Sequence, residues 1–251
     1  MAQQPPNYED PPPYSAQDQD CADELVDPTI LILVGSSVYA EAATSPPLYN
    51  LSHSIDSLTG SESLVVLERY INTVRTGADE VPRIACRKRH IYDLKHLPPV
   101  LSPNFAFVLG AVSRRWCIGN IGFRKSARPG QGFKAVTTRP VKSDRFPKGY
   151  QARQPSEKEI DQIFGVKIRQ NTYEWHTLDG GLVAVEDGRD DQLRLIITAP
   201  LTRRIMDALV GCWCLRIWYN NIEIQKGSQQ WSKSIHFSFF LSAQFMTDYS
   251  Q

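Results

Sequence analysis

Hydrophobic and polar positions fall into two textures along this chain. Between residues 28 and 199 the apolar residues come in short runs, rich in Val, Ile, Leu, Tyr and Phe and broken by Gly, Pro, Asp and Asn. Runs of that kind bounded by turn formers predict strands, here near 29–40, 47–53, 63–70, 83–94, 104–112, 116–123, 132–138, 162–168, 171–178, 182–187 and 193–199. The clearest hairpin joins Tyr173 through Leu178 to Leu182 through Val185, because Asp179-Gly180-Gly181 between them supplies the positive φ of a tight turn. Gly119 and Gly122 in the run from Cys117 to Phe123 suit a bend or bulge. The second texture occupies 201–219, where only Thr202, Arg203, Arg204, Asp207 and Arg216 are clearly polar and the apolar residues after Ala208 go nearly all the way round. That pattern predicts a buried helix, with Pro200 tolerated in its first turn and Asn220-Asn221 at its exit. Its clean apolar run, with Arg216 inside, falls short of the roughly 20 residues a membrane span requires. Many short strands and one buried helix predict a mainly β (α+β) fold, a barrel of about 10–12 strands around a central hydrophobic helix at 201–219.

The ends differ from this middle. Residues 1–27 are rich in Pro, Gln and Asp, with few large apolar residues, and predict a disordered tail. Within them Pro5-Pro6-Asn7-Tyr8 and Pro11-Pro12-Pro13-Tyr14 are two copies of Pro-Pro-x-Tyr. Consecutive prolines pre-set polyproline II geometry, so such a segment docks a WW domain at small entropic cost, and two copies suit tandem WW domains. Pro5, Pro6, Tyr8, Pro11, Pro12 and Tyr14 are therefore the candidate WW-binding residues. Pro46-Pro47-Leu48-Tyr49 fits the pattern too but runs straight into a strand, and is expected to be a strand entry. Residues 139–160 are polar, Pro- and Lys-rich, and predict a surface loop. Residues 222–251 form an extension whose run from Ile235 to Leu241 fits either a final strand or a packed tail.

Charge changes the picture more than composition does. Residues 1–68 hold 11 acidic and no basic residues, whereas residues 83–153 hold 16 basic and 2 acidic ones. Such segregation points to an anionic partner, or to the acidic tail folding back. Arg83, Arg87, Lys88 and Arg89 form one candidate cluster, and Arg114, Arg115, Arg124, Lys125, Arg128 and Lys134 a second. Since Arg87 and Arg89 alternate with Lys88 on an expected strand, one face receives only part of the first cluster. Five scattered cysteines without CxxC spacing indicate neither a disulfide framework nor a zinc site, and no secretory signal precedes the domain. The expectation is a cytoplasmic, peripherally membrane-associated protein without a cofactor.

Several of these segments together carry a family resemblance. An acidic tail with Pro-Pro-x-Tyr motifs, then Pro47 through Ser52, Ile118 through Phe123, Tyr173-x-Trp175 with Asp179-Gly180 and Glu186-Asp187, and Asp207 through Trp218 resemble a group of filamentous-fungal proteins. That group is similar to the tubby C-terminal-like superfamily, which includes tubby proteins, plant LURP-one-related proteins and phospholipid scramblases. The resemblance implies a β-barrel domain over 28–221 wrapped round a hydrophobic helix, and a role in binding phosphoinositides or other membrane lipid. The chain lacks a cysteine-rich palmitoylation cluster and an acidic calcium loop of the scramblase kind.

The functional expectation is a non-enzymatic adaptor. Its tail binds a WW-domain protein such as a HECT-type ubiquitin ligase, and its barrel binds an anionic membrane lipid or a protein. The alternative is a nucleic-acid-binding protein that uses the basic 83–153 segment, with Tyr92, Phe105, Phe107, Trp116, Phe123 and Phe133 stacking on bases. Catalysis is not expected. The five histidines show no HExxH spacing, there is no GxSxG elbow, and Glu186-Asp187 with Asp190-Asp191 reads as a turn.

Overall fold

The structure, a computed structural model, describes residues 23–41, 44–76, 82–98, 104–127, 131–138, 161–170, 172–187 and 192–247, with backbone alone for 74–76, 82, 84, 131 and 228–247. Among the described residues, fourteen strands, one short 3-10 helix (Ile55–Ser57) and one long helix follow in chain order: β1 (Leu25–Val26), β2 (Ile30–Val34), β3 (Ser37–Ala40), β4 (Pro47–Leu51), β5 (Leu64–Thr76), β6 (Pro82–His96) and β7 (Phe107–Ala111). Then come β8 (Asn120–Lys125), β9 (Gln131–Thr138), β10 (Gln162–Arg169), β11 (Thr172–His176), β12 (Leu182–Asp187), β13 (Leu193–Ile197), β14 (Leu201–Thr202) and α1 (Arg203–Thr247).

Strands β2 to β13 form one closed barrel in which every pairing is antiparallel, each strand lies beside its sequence neighbour, and β13 returns to β2. Alternation decides what faces in: Leu31 and Leu33, Tyr49 and Leu51, Val65 and Leu67, Phe164 and Val166 are all buried. About eight strands already enclose a space that side chains can fill, so the lumen of twelve needs something larger. Helix α1 supplies it. Every residue from Met206 to Trp218 is buried; helix side chains meet Tyr49 on β4, Phe133 on β9, Tyr173 on β11 and Glu186 on β12, and Gly211 lies against Leu109 on β7. Trp175, Trp213 and Trp218 are among the largest fully buried side chains.

Two buried ion pairs fix the helix inside the barrel. Near its start, Asp207 takes the guanidinium of Arg69 from β5 and a hydrogen bond of 2.9 Å from the Tyr49 hydroxyl. Two to three turns on, Arg216 lies 2.5 Å from Glu186, which also accepts the Trp175 indole N–H at 3.0 Å. The Arg216 guanidinium stacks 4.3 Å over the Tyr173 ring.

The helix gives the barrel two distinct ends. At the entry end β1 pairs with β14, and the Arg203 amide donates to the Glu24 carbonyl. At the exit end Trp218 donates to the Thr59 carbonyl at 2.9 Å and Asn221 to the Ile55 carbonyl at 2.8 Å.

Several boundaries differ from the sequence expectations. The stretch 29–40 is a hairpin rather than one strand, because Gly35 (φ 58°) and Ser36 turn the chain between β2 and β3. Residues 114–116 form a turn, Gly119 takes φ 115°, and the strand starts only at Asn120. The 173–185 hairpin forms as expected, with Gly180 at φ 89°. Pro47 opens β4, as a strand entry should. Strand β1 lies inside the segment expected to be a tail.

Helix α1 begins at Arg203, not at 201, because Leu201 and Thr202 are held as a strand by β1. The helix does not end at Asn220-Asn221. Those side chains bond to the Tyr173 hydroxyl and the Ile55 carbonyl on the barrel rim, which leaves the helical backbone free to continue to Thr247. Residues 235–241, expected as strand or tail, are therefore helical. The loop expected at 139–160 and the tail before residue 23 lie outside the described residues.

Candidate functional site

The β5–β6 hairpin outgrows the barrel. β4 pairs with β5 only as far as Arg69, and β7 pairs with β6 only from Tyr92 onward, whereas β5 and β6 stay paired out to Thr76 and Pro82. The result is a two-stranded ribbon rooted at the entry end, beside Arg69 and Asp207.

Register sorts its charges. Arg69 is opposite Arg89 and Ile71 opposite Arg87, so Arg87 and Arg89 share the face that runs on from the barrel interior. Lys88 is opposite Tyr70 on the other face, 5.2 Å from that ring and 3.6 Å from Glu68. Arg83, Arg87 and Lys88 are exposed and Arg89 is half-buried.

The turn after β7 returns to the same end. Val112 donates its amide to the Ile91 carbonyl, and the Cys117 thiol bonds to the same carbonyl at 3.0 Å. There the guanidinium groups of Arg89 and Arg115 both lie over the Trp116 ring, 3.9 Å and 4.5 Å from its centroid. The first cluster and Arg114-Arg115 thus become one basic face, joined by a tryptophan. The chain also leaves β9 at Thr138 and re-enters at Asp161 here, with the Thr137 amide bonded to the Asp161 carbonyl.

The rest of the second cluster lies elsewhere. Arg124 and Lys134 are direct cross-strand neighbours on the outer wall, and Arg124 stacks 5.5 Å from the Phe105 ring. Lys125 is exposed beside them, and Arg128 lies outside the described residues, as do Pro5, Pro6, Tyr8, Pro11, Pro12 and Tyr14. Lys134 lines an outer cleft of about 210 Å3 together with Gln162, Gly165, Lys167 and His176.

The aromatics proposed for base stacking are not available to a ligand. Tyr92, Phe107, Phe123 and Phe133 are core residues, Phe105 is buried against the outer wall, and of the six only Trp116 is half-buried. Glu186, read as part of a turn, is instead a buried residue of β12. His90 pairs with Asp93 at 2.8 Å, His96 stacks on Phe107 at 4.8 Å, and His176 sits between Glu174 and the Gly180 carbonyl. Among the described residues no group of three His, Cys, Asp or Glu side chains could hold a metal ion, and no helix is long and apolar enough to cross a membrane.

No family model, curated protein or solved structure matches this chain. Its face must therefore be read from its own geometry. Sequence spacing anticipated the basic residues but missed the stack. Trp116 looked like another core aromatic, and its contact with Arg89 spans 27 positions with no local pattern to announce it.

Proposed function

We propose that this protein is a non-enzymatic adaptor, a tubby-like barrel whose basic entry end docks on an anionic membrane surface. Its N-terminal Pro-Pro-x-Tyr pair recruits a WW-domain protein, such as a HECT-type ubiquitin ligase. The observation that carries the membrane half is the Arg89–Trp116–Arg115 stack, which unites two basic segments on one face. A membrane-facing surface gains about 1 kcal/mol per Lys or Arg near anionic lipid, so a face to which Arg83, Arg87, Arg89, Arg114 and Arg115 all contribute supports reversible docking. Trp116 adds an amphipathic ring of the kind favoured at the lipid headgroup level. The recruiting half rests on the two motifs in residues 5–14.

Co-sedimentation of the full chain with phosphatidylserine vesicles tests the first half. Wild type should pellet, less so as salt rises, and Arg87→Gln/Arg89→Gln/Arg115→Gln should weaken binding by about 3 kcal/mol, roughly a hundredfold. Unchanged binding by a variant that melts like wild type would sink the reading, as would preference for an oligonucleotide over vesicles. For the second half, Tyr8→Ala/Tyr14→Ala should abolish capture by a tandem WW domain.

A further inference from the structure

The outer cleft beside Lys134 is formed by the barrel strands themselves. On β10 the side chains of Phe164 and Val166 are buried in the core, so alternation turns Gly165 and Lys167 to the outside. Gly165 stands between Lys134 on β9 and His176 on β11 in one cross-strand row. The register shifts on both sides of it, between Gln162 and Phe164 and between Val166 and Lys167, and again on β11 between Trp175 and His176. Irregularities of this kind re-aim side chains, and they are over-represented beside functional sites. Gly165 has no positive φ that would demand a glycine. In a strand interior glycine marks a bulge or a point of close approach, and here the bulges and an open floor coincide. The cleft above that floor measures about 210 Å3. It is edged by Gln162, whose side-chain nitrogen lies 3.1 Å from where a Cβ on Gly165 would be, and by Leu178, which is 71% exposed.

Three polar side chains line this cleft without a partner of their own. Lys134 and Gln162 are half-buried and Lys167 is exposed, and among the described residues none of the three side chains makes a hydrogen bond or ion pair. Lys88, Lys95 and Lys226, by contrast, each hold a carboxylate. Glu174 stands directly opposite Lys167, yet it pairs with Arg169 at 3.7 Å and His176 at 3.3 Å instead. The other ring nitrogen of His176 lies 3.1 Å from the Gly180 carbonyl, so the imidazole is fixed as a wall of the cleft. We propose that this cleft binds a small organic acid, with its carboxylate held by Lys134, Lys167 and the Gln162 amide and its apolar part against Leu178. The volume falls below the roughly 300–1,000 Å3 of sites for drug-sized ligands, so the acid is small. A carboxylate suits the donors better than a phosphate does. No arginine lines the cleft and Glu174 stands beside it, which matches a single charge on two oxygens rather than a dianion on three. This site lies on the side wall, apart from the basic entry end, and does not depend on the membrane reading.

Amide chemical shifts of the full chain test this directly. Titration with benzoate or isovalerate should move the Gly165, His176 and Gly180 amides saturably, with a Kd on the order of a millimolar for so few ligand atoms. Benzamide, which keeps the shape of benzoate without its charge, should leave them in place. Lys134→Gln/Lys167→Gln should raise the benzoate Kd at least about tenfold, since two charged donors are lost. Gly165→Val places a strand-compatible side chain on the floor and should abolish the shifts, while both variants melt like wild type. Phenyl phosphate should bind no tighter than benzoate. The absence of a saturable shift with either acid, equal shifts with benzamide, or a Kd unchanged in the lysine variant overturns the inference. Tighter binding of phenyl phosphate overturns the assignment of the ligand as a carboxylate.

Discussion

Asp207 sits fully buried in the first third of an apolar helix, where an ionised carboxylate is tolerated only because Arg69 and the Tyr49 hydroxyl complete it. Burial and the adjacent Asp207 charge in turn hold the Tyr49 hydroxyl well above its ordinary pKa, so it remains a donor. Removing one partner strands the other. Asp207→Ala should cost roughly 3–5 kcal/mol in urea unfolding followed by tryptophan fluorescence, whereas Arg69→Met/Asp207→Leu should recover much of the loss. Glu186 differs, because burial pushes its pKa from 4.5 up to about 7 against the pull of Arg216 and the Trp175 N–H. The unfolded chain releases this proton near the ordinary value, so between these two pH values the folded state binds more protons than the unfolded one. Stability should therefore fall as pH rises from about 4.5 to about 7, by on the order of 3 kcal/mol at most, and level off above. The pH dependence of the urea midpoint, compared with that of Glu186→Gln, checks the sign: the variant should lack this slope.

At the scale of elements, closeness of helix to wall matters as much as charge. A Cβ on Gly211 would lie 2.7 Å and 2.8 Å from the two methyl carbons of Leu109 on β7, so glycine allows α1 to approach that strand. Gly211→Val should destabilise by roughly 1–3 kcal/mol through overpacking, seen as a lowered urea midpoint, and Leu109→Ala should relieve part of the clash. Gly122 has the same role on the outer wall, where the Phe105 ring occupies the space of a Cβ at 2.5 Å. Such contacts explain which element features were legible. Strand positions followed from period-2 alternation, and the helix from its all-round apolarity. Boundaries were set by tertiary partners instead: β1 captured Leu201 and Thr202 from the helix, and rim contacts diverted Asn220 and Asn221 from ending it. The Gly35-Ser36 turn was hidden between two apolar runs that read as one. The ribbon exceeded its expected length because β5 and β6 support one another after their barrel neighbours have ended.

For the whole molecule, the barrel acts as a sorter of ends. The helix enters where the ribbon, the 112–119 turn and both stems of segment 139–160 converge, and it leaves at the opposite rim near Ile55 and Thr59. Local composition determined a great deal. A mainly β chain, a buried helix, an acidic start with two Pro-Pro-x-Tyr motifs and a basic middle all follow from periodicity and charge, which are properties of neighbouring residues. Only the tertiary structure decided that twelve strands close on themselves, that Arg69 and Glu186 meet the two charges inside the helix, and that the basic residues divide between an end face and an outer wall. The reason is separation along the chain: Arg69 and Asp207 stand 138 residues apart, and no pattern of near neighbours encodes a contact that exists only once the barrel has closed.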